Sequence, residues 1–257
     1  MYIYITIIIF GLIIGSFLNV VILRISDFKG ILFGRSECPH CKRKLLWYEL
    51  FPVFSYIFLL GKCSGCKKTI SIQYPLVEAG TALIFALIYF HFGLSFVSCI
   101  LFLVSCLLIV VFVYDILYQE IFDWLVIFAA ILWVIYLLIG FFFFQAPSSQ
   151  LLTSLYGAIA LGGFLGLLAG LSREKWMGYG DIGLGALLGF ILGWPNVLVG
   201  GFLAFLIGAV VGLVLIALKQ SKLQSKLPFA PFLILGFYLA LFWGQGIISW
   251  YIGFLRI

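Results

Sequence analysis

Apolar residues run along this chain in long, nearly unbroken blocks, not in alternation with polar ones. The blocks lie near 2–23, 71–92, 95–114, 121–144, 151–171, 181–194, 197–218 and 228–254, and each predicts a helix. Most approach the roughly 20 residues needed to cross a hydrocarbon core of about 30 Å. They are apolar all round, as a helix facing water is not. The sixth block is shorter and is threaded by Gly183, Gly185, Gly189 and Gly193. Small residues at such spacing let helices approach closely. Gly162-Gly163-Phe164-Leu165-Gly166 reads the same way, because no strand precedes it, as a nucleotide-binding glycine loop requires. The expected fold is an all-α polytopic membrane protein of about eight transmembrane helices.

Composition supports this. Hydrophobic residues make up 65% of the 257 and charged residues 9%, where a soluble domain carries about 25% charged. Met1 to Val21 has no positive residue before it and no small-residue cleavage site after it, so it reads as a retained span and not a secretory leader. The expected organisation is a first transmembrane helix at 1–23, a polar insert at 24–70 and a seven-helix membrane domain at 71–257.

Charge then orients the chain. Arg24, Lys29, Arg35, Lys42, Arg43, Lys44, Lys62, Lys67 and Lys68 lie between the first two spans, Arg173 and Lys175 after the fifth, and Lys219, Lys222 and Lys226 after the seventh. Only Arg256 falls on the other side. The excess marks the cytoplasmic face, with both termini outside. The net charge of +6 is explained by this topology and gives no reason to expect nucleic acid. The acids Asp27, Glu37, Glu49, Glu78, Asp115, Glu120, Asp123, Glu174 and Asp181 fall on the same side, so the chemistry is expected there.

The insert holds Cys38-Pro-His-Cys41 and Cys63-Ser-Gly-Cys66. Two C-x-x-C turns can present four thiolates to zinc, a closed structural shell of the zinc-ribbon kind. An insert this small buries little core, so a metal would supply folding energy. A redox or disulfide role is the competing reading, disfavoured in a reducing cytoplasm. His40 lies within the first pair and is a spare donor. Cys99 and Cys106 sit in an apolar block and read as core or lipid-facing side chains.

Asp115 is expected just after the third span, and Asp181 opens the sixth after Gly178-Tyr179-Gly180. A carboxylate near a bilayer is costly, about 2.5–3.5 kcal/mol at a helix centre, and less at a span end. The flanking glycines allow tight turns and close approach of another chain. Two carboxylates held together share a proton, and such a pair can activate water and protonate a peptide carbonyl without a covalent intermediate. Neither His40 nor His91 suits a serine or cysteine protease, and no H-E-x-x-H occurs.

Gly15-Ser16-Phe17-Leu18-Asn19-Val20-Val21, the cysteine insert with Trp47-Tyr48-Glu49 and Pro52, Tyr74-Pro75-Leu76-Val77-Glu78, Gly178-Tyr179-Gly180-Asp181 and Pro228-Phe229-Ala230-Pro231-Phe232 stand in order along nearly the whole chain. The set resembles the type IV prepilin peptidases. That resemblance implies an aspartyl endopeptidase of the bacterial cytoplasmic membrane. It would cut basic class III leaders from prepilins and pseudopilins after glycine, with Asp115 and Asp181 as its pair. It also implies S-adenosylmethionine as donor for N-methylation of the new terminus, for which no donor-binding motif is visible. Gly183 stands where the family often has lysine, and Phe122 where it often has proline. Glu49, Glu78 and Asp123, with Glu120 and Glu174, read either as an acidic rim for a basic leader or as partners of local lysines. Peptidase without methyl transfer, and a transporter or pilus-assembly factor, stay open as alternatives.

Overall fold

The computed structural model describes residues 2–25, 34, 36–38, 40–145, 147–173, 177–218 and 227–255. Asp27, Lys29, Arg35, Glu174, Lys175, Lys219, Lys222, Lys226 and Arg256 lie outside these.

The protein is helical, with α1 at Tyr2–Arg24, a 3₁₀ turn at Trp47–Leu50, α2 at Phe54–Phe58, α3 at Gln73–Phe92 and α4 at Phe96–Tyr118. Then come α5 at Asp123–Phe143, α6 at Ser149–Ser172, α7 at Tyr179–Leu192, α8 at Asn196–Ala217 and α9 at Ala230–Leu255. Among the described residues seven helices are long and apolar enough to cross a membrane, so this is a multi-pass membrane protein. The eighth expected span is α7. At 14 residues it rises only about 21 Å, short of the hydrocarbon thickness.

One boundary differs from expectation by about a full turn. The hydrophobic block stops before Asp115, yet α4 continues to Tyr118. Backbone pairing does not depend on side-chain polarity, so a helix outlasts its apolar run. It ends where Gln119, at φ +56, turns left-handed and donates its N–H to Asp115 O at 2.9 Å.

By packing, the chain forms two compact units, Met1–Val110 and Val111–Ile257. In the first, α1 lies on α3. A Cβ at Gly11 would stand 2.6 Å from Ala82 Cα, and one at Gly15 would stand 2.7 Å from Glu78 Cα, so only glycine permits this approach. In the second unit α6 packs on α7 and α8 on α9. At the α6–α7 crossing a Cβ at Gly157 would lie 2.1 Å from Gly189 O, and the reverse 2.2 Å. Backbone meets backbone there, the small-residue packing expected in a bilayer. Gly162 and Gly185 face this seam too, whereas Gly163 faces open space.

Candidate active site

Within the first unit, each C-x-x-C pair occupies a tight turn of one pattern. Cys38 N–H donates to Arg43 O and Lys42 N–H to Cys38 O; Cys63 and Lys67 repeat this with Lys68 O and Cys63 O, all at 2.9 Å. Lys42 and Lys67 adopt φ of +56 and +61. The turns aim backbone N–H groups at the first sulfur of each pair: those of Cys41 and His40 at Cys38, and those of Cys66 and Gly65 at Cys63. These donors favour thiolate. They hold Cys38 below the usual thiol range and bring Cys63 down to about 6. At Cys66 the Lys68 N–H favours the charge, but burial and the neighbouring sulfurs outweigh it and push the thiol up to about 11.

The four sulfurs lie within 4.8 Å of one another, with Cys38 and Cys66 3.9 Å apart. A tetrahedral metal with bonds of about 2.3 Å has ligand–ligand edges of about 3.8 Å. The residues present therefore fit a zinc-like four-sulfur centre. The His40 ring is not among the clustered donors.

Beside the quartet, Glu49 is buried. Arg43 Nη2 donates to both its oxygens at 2.6 and 2.8 Å, and the Leu46 N–H adds a third bond at 2.8 Å. The Ser64 hydroxyl donates to Glu49 and accepts from Arg43. Burial alone would push this carboxyl up, but these partners together hold it below the ordinary range. Sequence reasoning missed the knot; its only signal was an arginine and a serine, each close to a cysteine.

In the second unit Asp115 sits one turn before the end of α4 and Asp181 in the first turn of α7, 5% and 8% exposed. The two are close enough for the Asp115 charge to act on Asp181. Gly178 caps α7 in extended conformation and its carbonyl accepts from Asp181 N–H at 3.3 Å. The carboxylate folds back over that cap, its Oδ2 3.9 Å from where a Cβ at Gly178 would be. Gly180 has Ile121 against it, 3.1 Å from where its own Cβ would stand, which seats the α4–α5 connection on the start of α7. Tyr179, between the two glycines, is exposed.

A third helix end completes the site. Ala230 opens α9, and its N–H donates to Asp115 Oδ2 at 3.2 Å. The first-turn N–H groups of a helix have no intrahelical partner and carry partial positive charge, so they suit an anion. Nothing in residue type marks Ala230, because its backbone makes the contact; the flanking Pro228 and Pro231 are the only local signal.

The other acids divide. Glu78, in α3, is buried, its Oε2 accepting from Val53 N–H at 2.7 Å. Glu120 and Asp123, on the α4–α5 connection and the first turn of α5, are exposed.

Comparison with known proteins also divides the chain in two. Residues 9–92 match the family described as Bacterial Peptidase A24 N-terminal domain, and residues 101–213 match the Type IV leader peptidase family. The chain is 31% identical to a prepilin leader peptidase/N-methyltransferase of Stutzerimonas stutzeri, over 96% of this chain and 93% of that one. It is 36% identical to the protein of the same name from Bacillus subtilis, over 95% and 96%. No solved structure matches it.

Proposed function

Because the chain belongs to the type IV leader peptidase family, we propose that it removes the leader of type IV prepilins with Asp115 and Asp181 and then methylates the new amino terminus. The observation that carries this reading is the meeting of three helix ends around two buried carboxylates. The pair holds a shared proton. One carboxylate takes a proton from a water, the other donates to the scissile carbonyl oxygen, and the water oxygen forms the new bond to carbon. The proton belongs to the pair and not to one residue. The Ala230 N–H fixes one Asp115 oxygen, leaving the other to face Asp181. Gly178, with only the Asp181 carboxylate within 4 Å of where its Cβ would be, leaves room beside the pair for an extended backbone, the form a peptide must take to be cut.

The site faces the cytoplasm in this reading, in the bacterial plasma membrane, because the basic residues between spans favour that side. Glu49 is engaged by Arg43 and Glu78 is buried, so among the described residues the acidic rim for a basic leader narrows to Glu120 and Asp123. Zinc would be held by Cys38, Cys41, Cys63 and Cys66, with no open position and a structural role. Purified protein should carry one equivalent of metal and lose it in Cys63→Ser; metal-free wild type of unchanged fold would end this part of the reading. S-adenosylmethionine supplies the methyl group as an electrophilic carbon on a sulfonium.

The deciding experiment is cleavage of a prepilin in vesicles by wild type, Asp115→Asn and Asp181→Asn. Each variant should fold and lose about a thousandfold or more in rate, the scale of lost general acid–base catalysis. A variant that still cuts well would overturn the aspartyl mechanism.

A further inference from the structure

The first unit contains a cavity of about 600 Å³ between the ends of α1 and α3 and the cysteine insert, within the size range of small-molecule sites. The peptidase chemistry in the second unit makes no use of it. Its polar groups are incompletely satisfied in a consistent way.

Asn19, 1% exposed, lines it. Both hydrogens of the Asn19 amide are spent, on Gly15 O at 3.3 Å and Tyr74 O at 3.1 Å. The two carbonyl partners fix which end is nitrogen, since a flipped amide would set oxygen against oxygen. Asn19 Oδ1 is left buried with no partner. Gln73 also lines the cavity, and its Nε2 is a buried donor with none. Glu78, 7% exposed, also lines the cavity. It accepts from Val53 N–H and lies within reach of the Ser16 hydroxyl, but no described cation stands within ion-pair distance. The contrast with Glu49, which lines the same cavity and is bound by Arg43, is direct. Buried polar groups without partners are costly, and here an acceptor, a donor and a carboxylate converge on one space. Tyr56 and Tyr74 add aromatic surface.

Arg24 and Lys68 also line the cavity, so it is complementary to a small molecule that joins a cation to an anionic group and also carries N–H donors, with a flat ring to bury. We propose that it seats the methyl donor, with Glu78 and the tyrosines facing the sulfonium, Asn19 Oδ1 taking an N–H or O–H of the nucleoside, and Gln73 Nε2 meeting an acceptor. This rests on the reading above that the chain methylates. Carboxylates and aromatic faces both attract such cations. In the transfer, the deprotonated α-amine of the cleaved pilin forms the N–C bond as the C–S bond breaks, its electron pair staying on sulfur, and the methylated amine then sheds a proton to water. Sulfur leaves uncharged, so the carboxylate holds the donor more tightly than the spent thioether.

The test is equilibrium binding of radiolabelled S-adenosylmethionine and S-adenosylhomocysteine to the purified full-length protein, without pilin, with prepilin cleavage as the control for folding. Wild type should prefer the sulfonium. Glu78→Gln should weaken S-adenosylmethionine about tenfold or more, leave the thioether within about twofold, and still cleave. Gln73→Ala, which removes no internal hydrogen bond of its side chain, should weaken both ligands severalfold, and it decides the matter should Glu78→Gln fail to fold. Unchanged donor binding in both variants overturns the assignment, and so does Glu78→Gln affecting only the KM for pilin amine, which would give the cavity to the acceptor. A wild type that binds no donor and transfers no methyl group instead overturns the methylation reading itself.

Discussion

The cysteine insert and the aspartate site both bury carboxylates, and they treat them in opposite ways. In the insert, Glu49 meets a guanidinium, a hydroxyl and a backbone N–H, so its charge is balanced where it sits. In the aspartate site two buried carboxylates lie close enough for one charge to act on the other, and among the described residues the hydrogen bond that reaches either from another helix is the single one from Ala230. Full satisfaction suits a structural element; withheld satisfaction suits the shared proton that the proposed mechanism asks of the pair. Helix polarity sharpens the difference. Asp181 lies at the N-terminal end of α7, where negative charge is favoured, but Asp115 lies at the C-terminal end of α4, where it is not. The start of α9 compensates Asp115, so three helices must be in place for the site to exist.

The largest expected effect breaks that compensation alone. Ala230→Pro removes the N–H yet leaves α9 intact, because proline is well tolerated at the first position of a helix. Cleavage should fall about a hundredfold, the worth of a hydrogen bond to a charged group, while Ala230→Gly should stay near wild type. Prepilin cleavage rates in the three proteins decide it. Equal rates in the proline and glycine variants would show that α9 serves the site only by packing.

The insert should respond differently to loss of its cation. Arg43→Met strands Glu49, which for a fully buried pair costs about 3–5 kcal/mol. Arg43 is 36% exposed on its side chain, so water relieves part of this, and the remaining loss is expected as faster proteolysis between residues 36 and 71. Acid acts on the same knot. The folded carboxyl of Glu49 lies below its unfolded value, so its contribution is complete above the ordinary carboxylate range and fades as pH falls through the lowered value. Arg43→Met should lose this dependence. A variant as resistant as wild type across that range would place the rigidity of the insert elsewhere.

What could be read from sequence follows the same line between local and assembled features. Lipid-length apolar blocks specified the helices because a bilayer demands them of any spanning segment. The C-x-x-C turns and the Gly-x-Gly-Asp start of α7 were legible because each is a few consecutive residues. Asp115 was placed just outside its helix because polarity ends a hydrophobic block before geometry ends a helix. Ala230 was invisible as a site residue, since its contribution is a backbone N–H supplied across 115 residues of sequence. The Arg43–Glu49–Ser64 knot and the Asn19–Tyr74 bond likewise join segments whose approach only the fold decides.

The smallest effect tests how rigid the insert needs to be. Lys67 is exposed and holds φ at +61 to close the second cysteine turn. An L-residue pays about 1–2 kcal/mol in that region, and glycine pays almost none. Glycine also loses more freedom on folding, roughly 0.5–1 kcal/mol. The difference leaves Lys67→Gly about 0.5–1 kcal/mol more stable, measurable as slower proteolysis of the insert at unchanged cleavage activity. Destabilisation would mean instead that the lysine side chain holds something in the turn. The equivalent change at Lys42 should gain less, because it also removes the exposed 3.2 Å ion pair with Glu37, and exposed pairs contribute only about 0–1 kcal/mol.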